Sequence, residues 1–218
     1  MLGSLGGSSA SDIKENGECK SVALIFARGT GEPGNMGFVV GPGLGSQLKT
    51  ALNNDVMLQG ADYTTDFSGG GAKDIIATTQ QLKSRCPDTK VVLGGYSQGA
   101  MQVHDALGQV GGDVAAAVTF GDPYSSVGFG GGSSLLSGFM GGAGSGAGSG
   151  GGSGGSFNAE NGKVFCSTGD FICGLMPGGS GGSTSSGSGS GGHLSYSSDG
   201  SIPEAVKFIV SKVGGGAA

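Results

Sequence analysis

The chain has little charge. Asp, Glu, Lys and Arg make up 12 % of its 218 residues, the net charge is −5, and no cluster of basic residues occurs. Without such a cluster the chain lacks the electrostatic grip needed for nucleic acid or an anionic membrane surface. No apolar run approaches the roughly 20 residues of a spanning helix, so no integral membrane segment is expected. No secretory leader is visible, and Met1-Leu2-Gly3-Ser4 reads as the start of a mature or recombinant form. Asn-x-Ser/Thr triplets are absent, which removes N-glycosylation. There are two histidines, His104 and His193, and no CxxC pair or histidine cluster. Zinc needs close ligand pairs, so neither a metal nor a cofactor is expected.

Glycine abounds instead, at 52 residues. The run 141–156 contains only Gly, Ser and Ala, and 178–192 only Gly, Ser and Thr. Neither has the strict three-residue period of collagen, so both read as flexible coil. Outside them the apolar density is ordinary, and the length suits one domain with a sizeable core. The expected organisation is a tail at 1–18 and a single domain at 19–218, with flexible insertions at 141–156 and 178–192. The chain is read as a monomer.

Four cysteines remain: Cys19, Cys86, Cys166 and Cys173. An even number without metal spacing argues for two disulfides and an extracellular setting. Three pairings exist. The short gap favours Cys166 with Cys173, leaving Cys19 with Cys86. On the chain-entropy model, closing a loop of about 68 residues contributes roughly 4 kcal/mol, and one of about 8 residues roughly 2.5 kcal/mol.

Apolar runs at 20–27, 55–61, 90–93, 114–120 and 163–166 read as strands. Helical spacing appears at 38–53, 73–86, 100–107 and 203–213, although Pro42 and its glycines weaken the start of the first. Pro203 suits a first helical turn, and Val206, Ile209, Val210 and Val213 form one face of the last helix. Strands alternating with helices imply a parallel sheet with right-handed crossovers and helices on both faces. In such a sheet the working site lies at the carboxyl ends of the strands.

Gly95-Tyr96-Ser97-Gln98-Gly99 is a G-x-S-x-G sequence between a strand and a helix. So tight a turn leaves no room for side chains two residues before and after the serine, and it lifts Ser97 above the sheet. The Gln98 amide then points at a forming oxyanion. The plainer alternative is a glycine-rich turn without chemistry. A serine nucleophile needs a base. His104 stands seven residues along the same helix, about 10 Å away along the axis, and cannot reach it. His104 is therefore expected on the helix surface, which leaves His193. The orienting acid is Asp170, inside the small disulfide loop, and Ser-Asp-His is the α/β-hydrolase chain order. Asp122 is the rival, in a Gly-Asp-Pro sequence that equally suits a turn. A second oxyanion donor is expected from the loop after the first strand, at Thr30. Ile172, Leu175, Met176 and Leu194 remain as apolar residues for an acyl groove, with local packing an equal account of Ile172.

Taken together, "ARGTGEPG", "GGYSQGA", "CSTGDFIC" and "HLSY" resemble the cutinase family of secreted serine esterases, in that order and at comparable positions. "RGTGEP", "DYTTDFSGGGAKDII" and "HLSYSSDG" are most similar to the fungal cutinase-like polyesterases. The resemblance runs from Cys19 to the final helix. It implies a small α/β-hydrolase with a central, mostly parallel sheet of about five strands, flanked by helices on both faces, and no substantial lid. It also implies nucleophile Ser97, acid Asp170, base His193 and an oxyanion hole of Thr30 and Gln98. Arg28 and Glu32 would fix the oxyanion loop, and the disulfides would be Cys19–Cys86 and Cys166–Cys173. The expected activity is hydrolysis of cutin-like polyesters and of short to medium acyl esters. An acetylxylan esterase with the same triad is the alternative, suggested by "FGDP". A non-catalytic secreted protein on a hydrolase scaffold is the other.

Overall fold

The computed structural model describes residues 7–126, 128–130, 156–173, 175 and 192–214. The two glycine-rich runs expected to be flexible lie outside the described residues, except for Ser156 and Gly192, and so does Met176.

Five strands pair in parallel in the order β2-β1-β3-β4-β5. They are β1 (Val22–Ala27), β2 (Val56–Gly60), β3 (Lys90–Tyr96), β4 (Val114–Phe120) and β5 (Gly162–Phe165). Among the described residues four helices cover the sheet: α1 (Gly41–Ala51), α2 (Gly70–Arg85), α3 (Gln98–Val110) and α4 (Ser201–Val213). Because both faces are covered, the strands are almost unbroken apolar runs. Val22, Leu24 and Phe26 pack on one side with Leu44 and Leu48 of α1 and Ile202 and Ile209 of α4. Ala23, Ile25 and Ala27 pack on the other with Ile75 and Leu82 of α2 and Val103 and Leu107 of α3. No helix among the described residues is long and apolar enough to cross a membrane.

Where element ends depart from the sequence reading, the cause is packing. The third strand does not stop at residue 93. It continues to Tyr96 because Gly94 and Gly95 answer a shortage of space. A Cβ on Gly94 would lie 2.8 Å from the Phe26 ring, and one on Gly95 would lie 2.5 Å from the Gly99 carbonyl. The first helix begins at Gly41, with Pro42 in its opening turn, where a missing N–H leaves no hydrogen bond unmade. Both disulfides form as paired above, Cys19–Cys86 and Cys166–Cys173.

Residues 8–14 run along the outer edge of β2. Ser11 bridges Gln59 in antiparallel fashion, Asp12 N donates to Leu58 O (3.0 Å), and Gly60 N donates to Ala10 O (2.9 Å). The Gln59 side chain accepts from the amides of Ile13 (3.2 Å) and Lys14 (3.1 Å), and Ile13 is fully buried. Lys14 pairs with Asp62 and Asp74, each at 2.7 Å.

The chain steps outward from β1 to β2, then returns to the other side of β1 to begin β3. The loops leaving β1 and β3 therefore diverge at neighbouring carboxyl ends, which opens a crevice there.

Candidate active site

Ser97 caps the N-terminus of α3 with φ 55° and ψ −119°, a left-handed conformation that a non-glycine residue adopts only under constraint. The constraint is visible on both sides. Ser97 N donates to Phe120 O at 2.9 Å. A Cβ on Gly99 would fall 1.9 Å from Ala27 O, so the helix start is pressed against β1. The serine hydroxyl is thereby held above the sheet.

His193 lies 96 residues further on, in the 3-10 helix Gly192–Ser197, and its Nε2 is 2.9 Å from Ser97 Oγ. Its Nδ1 is 3.0 Å and 2.9 Å from the two oxygens of Asp170. Tyr96 fixes the histidine twice. Its hydroxyl donates to His193 O (2.7 Å), and its ring stacks on the imidazole with centroids 5.0 Å apart.

Asp170 sits inside the Cys166–Cys173 loop with its carboxylate out of contact with solvent. Burial acts to raise its pKa. Hydrogen bonds from His193, the Tyr196 hydroxyl (2.6 Å) and the Ile172 amide (2.9 Å) outweigh burial, and the carboxyl is held below the usual range. Tyr196 is itself fully buried and accepts from Ser167 N (3.1 Å), while Ser167 Oγ donates to Asp199. The acid loop and the histidine segment are thus fastened to each other as well as to the sheet. Tyr196 enters the sequence reading only as the last residue of "HLSY". The hydroxyl bond to Asp170 is not visible in any spacing.

Thr30 and Gln98 come together after β1 and β3. With its amide oriented to satisfy its neighbours, Gln98 donates to Thr30 Oγ1 and Thr65 O, both at 3.2 Å, and accepts from Phe67 N at 2.6 Å. Glu32 is buried and accepts from the amides of Gly29 (2.7 Å), Phe38 (2.9 Å) and Val39 (2.9 Å). Arg28 donates to Glu32 O (2.9 Å) and Tyr63 O (2.8 Å). These bonds hold the loop that carries Thr30. Leu175 and Leu194 are exposed, as are Phe38, Phe67 and Phe171, which the sequence reading did not single out.

One placement corrects the sequence reading. His104 is not a surface residue: its side chain is 12 % exposed and its Nε2 is 2.7 Å from Asp122 Oδ2. Asp122 is fully buried and also accepts from Thr119 Oγ1 (2.7 Å) and Tyr124 N (2.8 Å). The last of these is the turn bond that Gly-Asp-Pro suggests. Burial works to lower the pKa of His104, but the Asp122 carboxylate outweighs it and the net shift is upward.

The adjacent Asp105 is pushed up to about 6 by burial, which the charge on His104 only partly offsets. An acid whose folded-state pKa exceeds its unfolded value lowers stability as pH rises from about 4 to about 6. Above that range the full penalty applies. Asp105→Asn, which mimics the neutral acid, is expected to stabilise the fold by about 2 kcal/mol at pH 8 and to be neutral near pH 3.5. Thermal unfolding at the two pH values checks this, and an equal effect at both would remove the assignment.

The sheet, its crossovers and a serine at a strained strand-to-helix turn define an α/β hydrolase. Within that class the chain belongs to the cutinase family, whose model matches residues 18–213. It is 36 % identical over 216 residues to Cutinase 4 of Emericella nidulans, covering 96 % of this chain and 79 % of that one. The solved structure of Trichoderma reesei cutinase with a phosphonate inhibitor superposes with a TM-score of 0.67 at 28 % identity, over 95 % of this chain and 81 % of that chain. An acetyl xylan esterase gives 0.59 at 20 % identity over 90 % of this chain and all of that one, a likeness of fold. The chain is accordingly a carboxylic ester hydrolase of the cutinase type.

Proposed function

We propose that the chain hydrolyses cutin-like polyesters and short to medium acyl esters through an acyl-enzyme, with Ser97 as nucleophile, His193 as base and Asp170 as orienting acid. The observation that carries this reading is the unbroken line of contacts from Ser97 Oγ through His193 to the Asp170 carboxylate, each step 2.9–3.0 Å. Ser97 Oγ attacks the ester carbonyl while His193 Nε2 takes its proton. His193 returns the proton to the leaving alcohol, and a water repeats the sequence to release the acid. Asp170 keeps the proton-bearing Nδ1 turned toward itself, so that Nε2 faces the serine. The Thr30 and Gln98 amides receive the developing oxyanion, each donor worth about 10²–10³ in rate.

Leu175 and Leu194 flank the acid and base segments and supply apolar surface for an acyl chain, with Met176 as a further candidate. The enzyme acts outside the cell as a monomer. Two disulfides support the extracellular setting, since such bonds persist in oxidising compartments. A series of p-nitrophenyl esters beside an emulsified aliphatic polyester tests the substrate range. Turnover at butyrate or longer, with clearing of the emulsion, is the expected result. A steep preference for acetate with no clearing would move the assignment to an acetylxylan esterase.

A further inference from the structure

We propose that the buried Asp122–His104 pair positions His193 for proton transfer, acting through the bare backbone of Gly121; this rests on the triad assigned above. Gly121 follows β4 with φ 56°. A Cβ built there would lie 2.7 Å from His193 Cε1, 2.9 Å from Nδ1 and 3.1 Å from Asp170 Oδ2. The Gly121 main chain is therefore the floor on which both the imidazole and its carboxylate rest. Any shift of that floor is passed directly to the base, and errors of about an ångström are enough to cost rate.

What holds the floor is held in turn by the nucleophile's own helix. On one side Ser97 N donates to Phe120 O (2.9 Å) and Gly121 N donates to Phe165 O (3.0 Å). On the other side the next residue, Asp122, is clamped by His104 (2.7 Å), Thr119 (2.7 Å) and Tyr124 N (2.8 Å). His104 belongs to α3, which begins directly after Ser97. The ring of Phe129 stacks on His104 with centroids 4.8 Å apart, and Tyr124 meets it edge-on. One helix thus presents Ser97 at its tip and grips, seven residues later, the loop beneath His193. A turn alone needs only the Asp122–Tyr124 bond. A fully buried carboxylate with a histidine partner is costly to assemble, and removing the histidine leaves an uncompensated charge that must move toward water. That movement would carry Gly121 with it.

Steady-state kinetics on p-nitrophenyl butyrate, below the melting temperature of each variant, test the proposal in the full chain. His104→Ala is expected to lower kcat about 10–100-fold with KM within about twofold. His104→Gln, whose amide can still donate to Asp122, should recover kcat to within about threefold of the parent. Gly121→Ala, which places a methyl group against the imidazole, should lower kcat by about 100-fold with KM again unchanged. Folded His104→Ala with a lower melting temperature but kcat within twofold would overturn the proposal, leaving the pair a plain anchor of the fold. If His104→Ala does not fold, a Gly121→Ala kcat within twofold of the parent would overturn it equally. Ser97→Ala separates the two levels of inference. Retained activity there removes the triad itself, whereas an inactive Ser97→Ala beside an undiminished His104→Ala removes only the positioning role.

Discussion

Ser97→Ala is expected to lower kcat on p-nitrophenyl butyrate by about 10⁵–10⁶-fold while leaving the fold intact. The change removes the oxygen that His193 Nε2 faces at 2.9 Å. It leaves untouched the backbone bond from residue 97 to Phe120 O and the glycines that make room for the turn. Alanine tolerates φ 55° no better than serine, so the strain stays and the stability should change by no more than about 1 kcal/mol. The residual rate would come from Thr30 and Gln98, if these donors still polarise a bound ester for attack by water. A fluorophosphonate probe reads the same atom independently. It should label the parent chain and not the variant. Turnover above about 1 % of the parent, or labelling that survives the substitution, would sink the nucleophile assignment.

Asp170→Asn is expected to cost about 10⁴-fold in kcat, against about 10-fold for Asp122→Asn. Both acids are buried and both touch a histidine, so burial does not separate them. Geometry does. Asp170 contacts the Nδ1 of the histidine whose other nitrogen meets Ser97. An amide in its place can donate to Nδ1, which favours the tautomer with its proton on Nε2, where it cannot accept from serine. Asp122 contacts a histidine that does not touch Ser97. An asparagine there keeps the acceptor for Tyr124 N and loses the carboxylate oxygen that His104 and Thr119 share. Circular dichroism on both variants separates misfolding from chemistry. The reverse order of losses would transfer the acid to Asp122.

The layered sheet and the strand-to-helix turn that carries Ser97 were legible because they depend on neighbours in sequence. Alternating apolar runs give strands, helical spacing gives crossovers, and G-x-S-x-G between the two locates Ser97. His104 was misread for the complementary reason. Its spacing along α3 shows that it cannot reach Ser97, and says nothing about a carboxylate arriving from the β4 loop 18 residues later. The same holds for Tyr196, whose bond to Asp170 spans 26 residues. The third strand was read as ending at Leu93, before Gly94 and Gly95, because glycine signals both flexibility and crowding, and only the packed neighbours distinguish the two. Pairings across a disulfide were the exception. There the short interval between Cys166 and Cys173 was itself the geometric information.

The family match begins at residue 18, yet the fold does not. Residues 8–14 supply amides, a buried isoleucine and a lysine to the rim of β2, and they finish a sheet that would otherwise end in open hydrogen-bonding groups. A chain shortened to the matched segment would keep every residue of the chemistry and lose its border. An unpaired parallel edge is a template for a second copy, so such a chain would trade solubility for brevity. For this enzyme the first practical choice, where to start the polypeptide, is a decision about self-association before it is one about catalysis.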